Sequence, residues 1–192
     1  MKFLALWLGG ALILGLPAAR ADLVTFGSGA NSFDMEFVTI GEAGNLPDHT
    51  GFPNPAGSVS YVYDMGKFEV RRDAITKANA PTASGGGNLG ITLPDMSLFG
   101  GNGADRPATG ISWNEAARFV NWLNTSQGYQ PAYKFSTQPG QGGYSPSQNI
   151  SLWTPGDVGY DATNRFRSSL ANYVLPSANE WYKAAYCSPS GI

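Results

Sequence analysis

Cysteine and histidine are nearly absent from this 192-residue chain, with one of each, Cys187 and His49. A lone thiol excludes an internal disulfide framework and every Cys-x-x-Cys metal or redox site. A lone imidazole excludes zinc centres that need two. Charge is also scarce: Asp, Glu, Lys and Arg make up 14% of the residues, and no run of basic residues exceeds Arg71-Arg72. With a net charge of -2, the electrostatic footprint of a nucleic-acid binder is missing, and no nucleic-acid partner is expected. The solvated surface must be built from Gly, Ser, Asn, Thr and Gln. Glycine and proline are plentiful instead, 25 and 13 residues, which gives a loop-rich chain still below the composition of low-complexity disorder. Aromatic residues at 12% supply core material for one domain.

No apolar run is long enough to span a bilayer. The longest, Phe3 to Leu16, follows Lys2 and contains Gly9, Gly10 and Gly15. Pro17 and the Ala19-Arg20-Ala21 pattern come after it, the arrangement of a secretory signal peptide over 1–21 with cleavage after Ala21. The mature chain, 22–192, then carries ten basic and fourteen acidic residues and no membrane span. An exported location follows, whether periplasmic, cell-surface or extracellular.

Alternation of Phe33, Met35, Phe37 and Thr39 with their neighbours predicts a strand over Phe33–Ile40, half-buried at its start and more buried at its end. The proline-rich stretch 41–57 reads as an exposed loop. Val59, Tyr61 and Tyr63, an interruption at Asp64-Met65-Gly66, and Phe68-Glu69-Val70 predict two short strands or one bulged strand. Asp73 is placed to cap a short helix over Ala74 to Ala78, ended by Asn79 and Pro81. The glycine-rich stretches 84–90 and 99–103 lack the endings of phosphate-binding loops and read as turns.

The strongest local signals are two capping boxes, in which a Ser hydroxyl and a Glu three residues on satisfy each other's free amides. Ser112-Trp113-Asn114-Glu115 starts a helix to about Asn124, with Ala116, Phe119, Val120 and Leu123 on its apolar face and Asn114, Arg118, Asn121 and Asn124 elsewhere. Ser177-Ala178-Asn179-Glu180 starts a second helix to about Tyr186, with Trp181, Ala184 and Ala185 on one side. Between them, 127–172 is a long polar stretch with little regular pattern, either functional surface or the mark of a loop-dominated fold.

Three segments in this order, Tyr63-Asp64-Met65-Gly66-Lys67-Phe68-Glu69-Val70, the stretch Pro107 to Phe119, and Leu175-Pro176-Ser177-Ala178-Asn179-Glu180-Trp181-Tyr182-Lys183-Ala184-Ala185-Tyr186, resemble the formylglycine-generating enzyme, or sulfatase-modifying factor, family. The stretch Phe37 to Asn124 is particularly similar to exported bacterial members. The resemblance implies an α+β class with a loop-rich, C-type-lectin-like fold. It also implies oxidation of a substrate cysteine to formylglycine with oxygen and a copper ion held by two cysteines. Relatives include non-haem iron sulfoxide synthases. The family's cysteines lie beyond the Leu-Pro-x-x-x-Glu-Trp helix, so 22–192 is expected to be the amino-terminal portion of such a domain, incomplete and truncated at its carboxy terminus.

No catalytic, cofactor-binding or metal-binding residue is therefore assigned, and no cofactor is expected in this chain, copper being implied only for full-length relatives. Cys187 at a helix end is expected to pack, with Lys183 the nearest basic residue in sequence, and His49 to be solvated. Glu115 and Glu180 are accounted for as capping-box acids. Trp113, Trp122, Trp153, Trp181, Tyr129, Tyr133, Tyr144 and Tyr160 could include a sugar-stacking platform, although core and loop anchoring is the default. Asn124-Thr125-Ser126 and Asn149-Ile150-Ser151 fit the glycosylation acceptor pattern. Three functions remain. One is the family oxidase, which this chain is not expected to carry out. Another is a non-enzymatic module binding a protein or carbohydrate ligand through 127–172. The last is an inactive surface or matrix protein.

Overall fold

The computed structural model describes residues 21–81, 88–138 and 141–187. Residues 1–20 of the expected signal peptide, 84–87 of the first glycine-rich stretch and the tail 188–192 lie outside them. Among the described residues no helix is long and apolar enough to cross a membrane.

Strands β1 (Ala21–Phe26), β2 (Phe33–Ile40) and β3 (Tyr63–Gly66) form an antiparallel sheet in that order. β1, which has no counterpart in the sequence reading, pairs Phe26 with Phe33 and Asp22 with Phe37. The turn between them needs Gly27: its φ is +74°, and a Cβ there would lie 2.4 Å from the Asn31 carbonyl oxygen. β2 reverses the expected gradient. Phe33 is buried at its start, Met35 and Phe37 pack on the core, and the far end is half-buried. β3 is the Asp64-Met65-Gly66 segment that reads in sequence as an interruption, because Met65 pairs with Val38 and Asp64 accepts the Thr39 hydroxyl at 2.7 Å. Tyr61 and Val59 lie off the ladder in irregular chain.

Helix α1 (Arg72–Asn79) begins two residues earlier than Asp73 as cap would require. Arg71 occupies the cap position without a side-chain bond, and Asp73 instead sits in the first turn, paired with Lys77 at 2.8 Å. Helices α2 (Trp113–Ser126) and α3 (Ala178–Tyr186) start on complete capping boxes at Ser112/Glu115 and Ser177/Glu180.

α2 is the central element. Phe119, Trp122 and Leu123 join Phe26, Phe33, Ile75 and Ala78 in the main core, and Ala117 and Val120 join Ala132, Tyr133 and Phe135 in a second cluster. The expected polar side of α2 is not solvated: Arg118, Asn121 and Asn124 are buried as well. They serve as hydrogen-bonding hubs for loops. Arg118 Nε donates to the Leu89 carbonyl at 2.7 Å. Asn121 donates to the Tyr133 carbonyl and accepts from the Tyr133 amide, at 2.7 and 2.8 Å. Asn124 donates to the carbonyls of Val120 and Tyr173 and accepts from the amides of Asn172 and Tyr173. Irregular backbone wrapped on a helix must find partners for its N–H and C=O groups, and these side chains supply them. That explains how 127–172 can be compact with so little secondary structure.

Candidate functional site

α3 carries the most developed surface feature. Its expected face is wrong: Trp181 and Ala185 are exposed, while Glu180, Tyr182 and Lys183 are buried. The cause is polar. Glu180 not only completes its capping box but also receives two bonds from Arg167, at 3.1 and 2.8 Å, and one from the Tyr61 hydroxyl at 2.6 Å. Tyr63 donates to the Glu180 carbonyl, Lys183 Nζ to the Glu42 carbonyl at 2.8 Å, and Tyr182 to Asp48 at 2.6 Å. Helix α3 is thus fastened to the 42–63 segment by its own buried polar side chains.

The electrostatics are those of a locked ion pair. Burial pushes the Glu180 carboxyl up, but Arg167, Tyr61 and the Ser177 amide and hydroxyl outweigh it and hold the group at about 2. Burial, then the neighbouring Glu180 charge, raises the Tyr63 phenol to about 12. Asp48 is held at about 2, first by the Tyr182 hydroxyl and then by Thr50. None of these groups changes protonation near neutral pH, so none is poised for general acid or base work. Glu115 is likewise engaged, accepting from Ser112 and from the Thr92 amide at 3.1 Å, as its capping-box assignment implies. His49 is exposed in its loop beside Asn54.

Beside this lock lies an aromatic cleft of about 360 Å³, between Phe52-Pro53 of the loop and Pro176, Trp181, Tyr182 and Tyr186. Trp181 is 53% exposed, Tyr186 62% and Phe52 95%. Trp181 and Tyr186 meet edge to face with ring centroids 5.8 Å apart. The lining carries no charged side chain. Of the aromatic residues singled out from sequence, Trp181 alone belongs to this cleft. Trp122, Trp153 and Tyr133 are buried, and the Trp153 ring N–H donates to the Ala132 carbonyl at 3.1 Å. Trp113 packs on Tyr133, and Tyr144 donates to the Leu89 carbonyl. Phe52 belongs to the stretch that reads in sequence as an exposed loop, and Arg167 carries no sequence signal, since its role depends on a partner thirteen residues away.

Cys187 follows α3 directly. Its backbone N–H donates to Lys183, and its half-buried Sγ lies 3.9 Å from the Asn45 amide nitrogen. A Cβ added to Gly57 would stand 3.6 Å from that sulfur and 2.8 Å from the Tyr182 ring. The thiol is packed between the end of α3 and the 45–57 loop. Among the described residues there is no group of three or more His, Cys, Asp or Glu that could hold a metal ion. Copper(I) in a two-thiolate site needs a second soft anionic ligand, and the only other sulfurs are methionine thioethers. Of these, Met35 packs on the main core and Met65 lies in β3. The residues present do not fit that copper centre.

Residues 56–191 match the family model described as the sulfatase-modifying factor enzyme 1-like domain. No curated protein and no solved structure matches the chain.

Proposed function

Because the chain belongs to the family of the sulfatase-modifying factor enzyme 1-like domain, we propose that it is an exported, loop-rich, C-type-lectin-like member that works by binding a protein or carbohydrate ligand. The family's oxidation of a protein cysteine to formylglycine is assigned no residues here. One observation carries this reading: the sole thiol, Cys187, is half-buried beside Asn45 and Gly57, with no second cysteine in the sequence to share a copper ion. The binding function is assigned to the aromatic cleft rather than to 127–172 as a whole, because much of that stretch is tied down by Asn121, Asn124 and Trp153. Exposed ring faces over a neutral cleft suit the apolar faces of a sugar ring or a proline-rich peptide.

The test is a turnover assay on purified protein given Cu(I), oxygen and a cysteine-containing sulfatase peptide. Mass spectrometry should find no formylglycine above a copper-only control. Turnover that Cys187→Ser abolishes would overturn the proposal.

A further inference from the structure

The two glycosylation acceptor patterns of the sequence meet opposite fates in the fold. Asn124-Thr125-Ser126 closes α2, where Asn124 is completely buried and both its nitrogen and its oxygen are engaged. Asn149-Ile150-Ser151 lies in irregular chain and runs antiparallel to Lys134, whose carbonyl accepts from the Ser151 amide at 2.7 Å. Successive side chains of extended backbone point to opposite sides. Ile150 packs on the second core cluster, and Asn149 and Ser151 on either side of it are exposed. The carboxamide and the hydroxyl that the acceptor pattern requires are therefore both open to solvent. Asn149 Oδ1 accepts from Asn114 Nδ2 at 2.7 Å, while its own Nδ2 and the Ser151 hydroxyl make no hydrogen bond among the described residues.

We propose that Asn149 is a site of asparagine-linked glycosylation, with an oligosaccharide carried on a lipid diphosphate as the donor. In that transfer a bond forms between C1 of the first sugar and Asn149 Nδ2, and the bond from C1 to the diphosphate oxygen breaks. The lipid diphosphate leaves with the bonding pair, one Nδ2 proton passes to the transferase, and nothing is oxidised or reduced. Asn149 keeps its second Nδ2 hydrogen and its Oδ1, so the bond from Asn114 survives the modification. A bulky, hydrated glycan belongs on a surface segment, which is where Asn149 stands. At Asn124 the same glycan would displace the carbonyls of Val120 and Tyr173 from Nδ2 and occupy the core. The inference rests on the export proposed above, because the transfer takes place in a secretory compartment.

Expression in a eukaryotic secretory host, which supplies donor and transferase, tests it. The full chain is made with its own leader, and a second form carries a host signal peptide ahead of Asp22. The second form reads the glycan whatever becomes of the first, so a failure of export and a failure of the site are told apart. Digestion with peptide-N-glycosidase F should lower the mass by one glycan, and peptide mapping should then find aspartate, the product of glycan release, at position 149 and asparagine at position 124. Protein retained inside the secretory compartment is digested and mapped in the same way. Asn149→Gln and Ser151→Ala should each abolish the mass shift. Ser151→Thr should retain it, and so should Ser126→Ala, which removes the other acceptor pattern and keeps Asn124. Circular dichroism of Asn149→Gln should match that of the wild type, since the side chain is exposed. Absence of a glycan from the form with the host signal would overturn the proposal. So would a shift lost in Ser126→Ala, or aspartate at position 124, either of which would place the glycan on α2.

Discussion

Single side chains in this protein do work that their residue types do not advertise. Asn124 is the clearest case, buried completely and making four hydrogen bonds. Asn124→Ala leaves the amides of Asn172 and Tyr173, both in part-buried bonds, without that partner, a total loss of about 1 to 3 kcal/mol. Chemical denaturation should show a loss in that range, whereas substitution of the exposed Asn149 should leave the midpoint unchanged. The same burial rules out Asn124 as a glycosylation acceptor in the folded chain. Glu180 gives a pH dependence. Its carboxyl is depressed from an ordinary value near 4.5 to about 2 in the folded protein, so its contribution is complete above the unfolded value and is lost as pH falls from 4.5 toward 2. Acid titration followed by circular dichroism should show the wild type losing stability across that window more steeply than Glu180→Gln, which starts less stable at neutral pH.

At the scale of elements, α2 and α3 show what was legible and why the rest was not. Both capping boxes were readable because a Ser and a Glu three residues on interact within one turn, whatever surrounds them. The apolar face of α2 was readable for the same local reason, and Phe119, Val120 and Leu123 are buried as its periodicity implies. Phe119→Ala should therefore cost about 3 to 5 kcal/mol, visible as a lower melting temperature. Helical periodicity, however, presumes that one side meets water. Loops close over α2 on its other side and bury Arg118, Asn121 and Asn124, and the partners that make this tolerable come from 89, 133 and 173, far away in sequence. For α3 the presumption failed outright. Its buried side is chosen by Arg167, Tyr61 and Glu42, so Glu180 and Lys183 turn inward and Trp181 turns out into the cleft. β3 was misread because Asp64 and Gly66 are poor strand formers on their own and are held by their ladder to β2. The cleft itself was invisible in sequence, since Phe52 and Trp181 meet only once α3 docks.

At the scale of the whole molecule, the order of this family member comes from side chains tying down loops as well as from sheet and helix, and its exposed aromatic cleft is the surface proposed for binding. Export is part of that proposal. Amino-terminal sequencing of secreted protein should begin at Asp22, and retention of Met1 to Ala21 would contradict it. The central claim, that these residues do not form the family's copper centre, is tested most directly by the protein's retention of Cu(I) against a competing chelator. Wild type and Cys187→Ser are loaded under anaerobic conditions and titrated with a bicinchoninate indicator, whose Cu(I) complex is coloured. A lone thiol gives no chelate, so the two proteins should surrender copper at the same indicator concentration. Retention of one Cu(I) per chain by the wild type, at indicator concentrations that strip Cys187→Ser, would contradict the account.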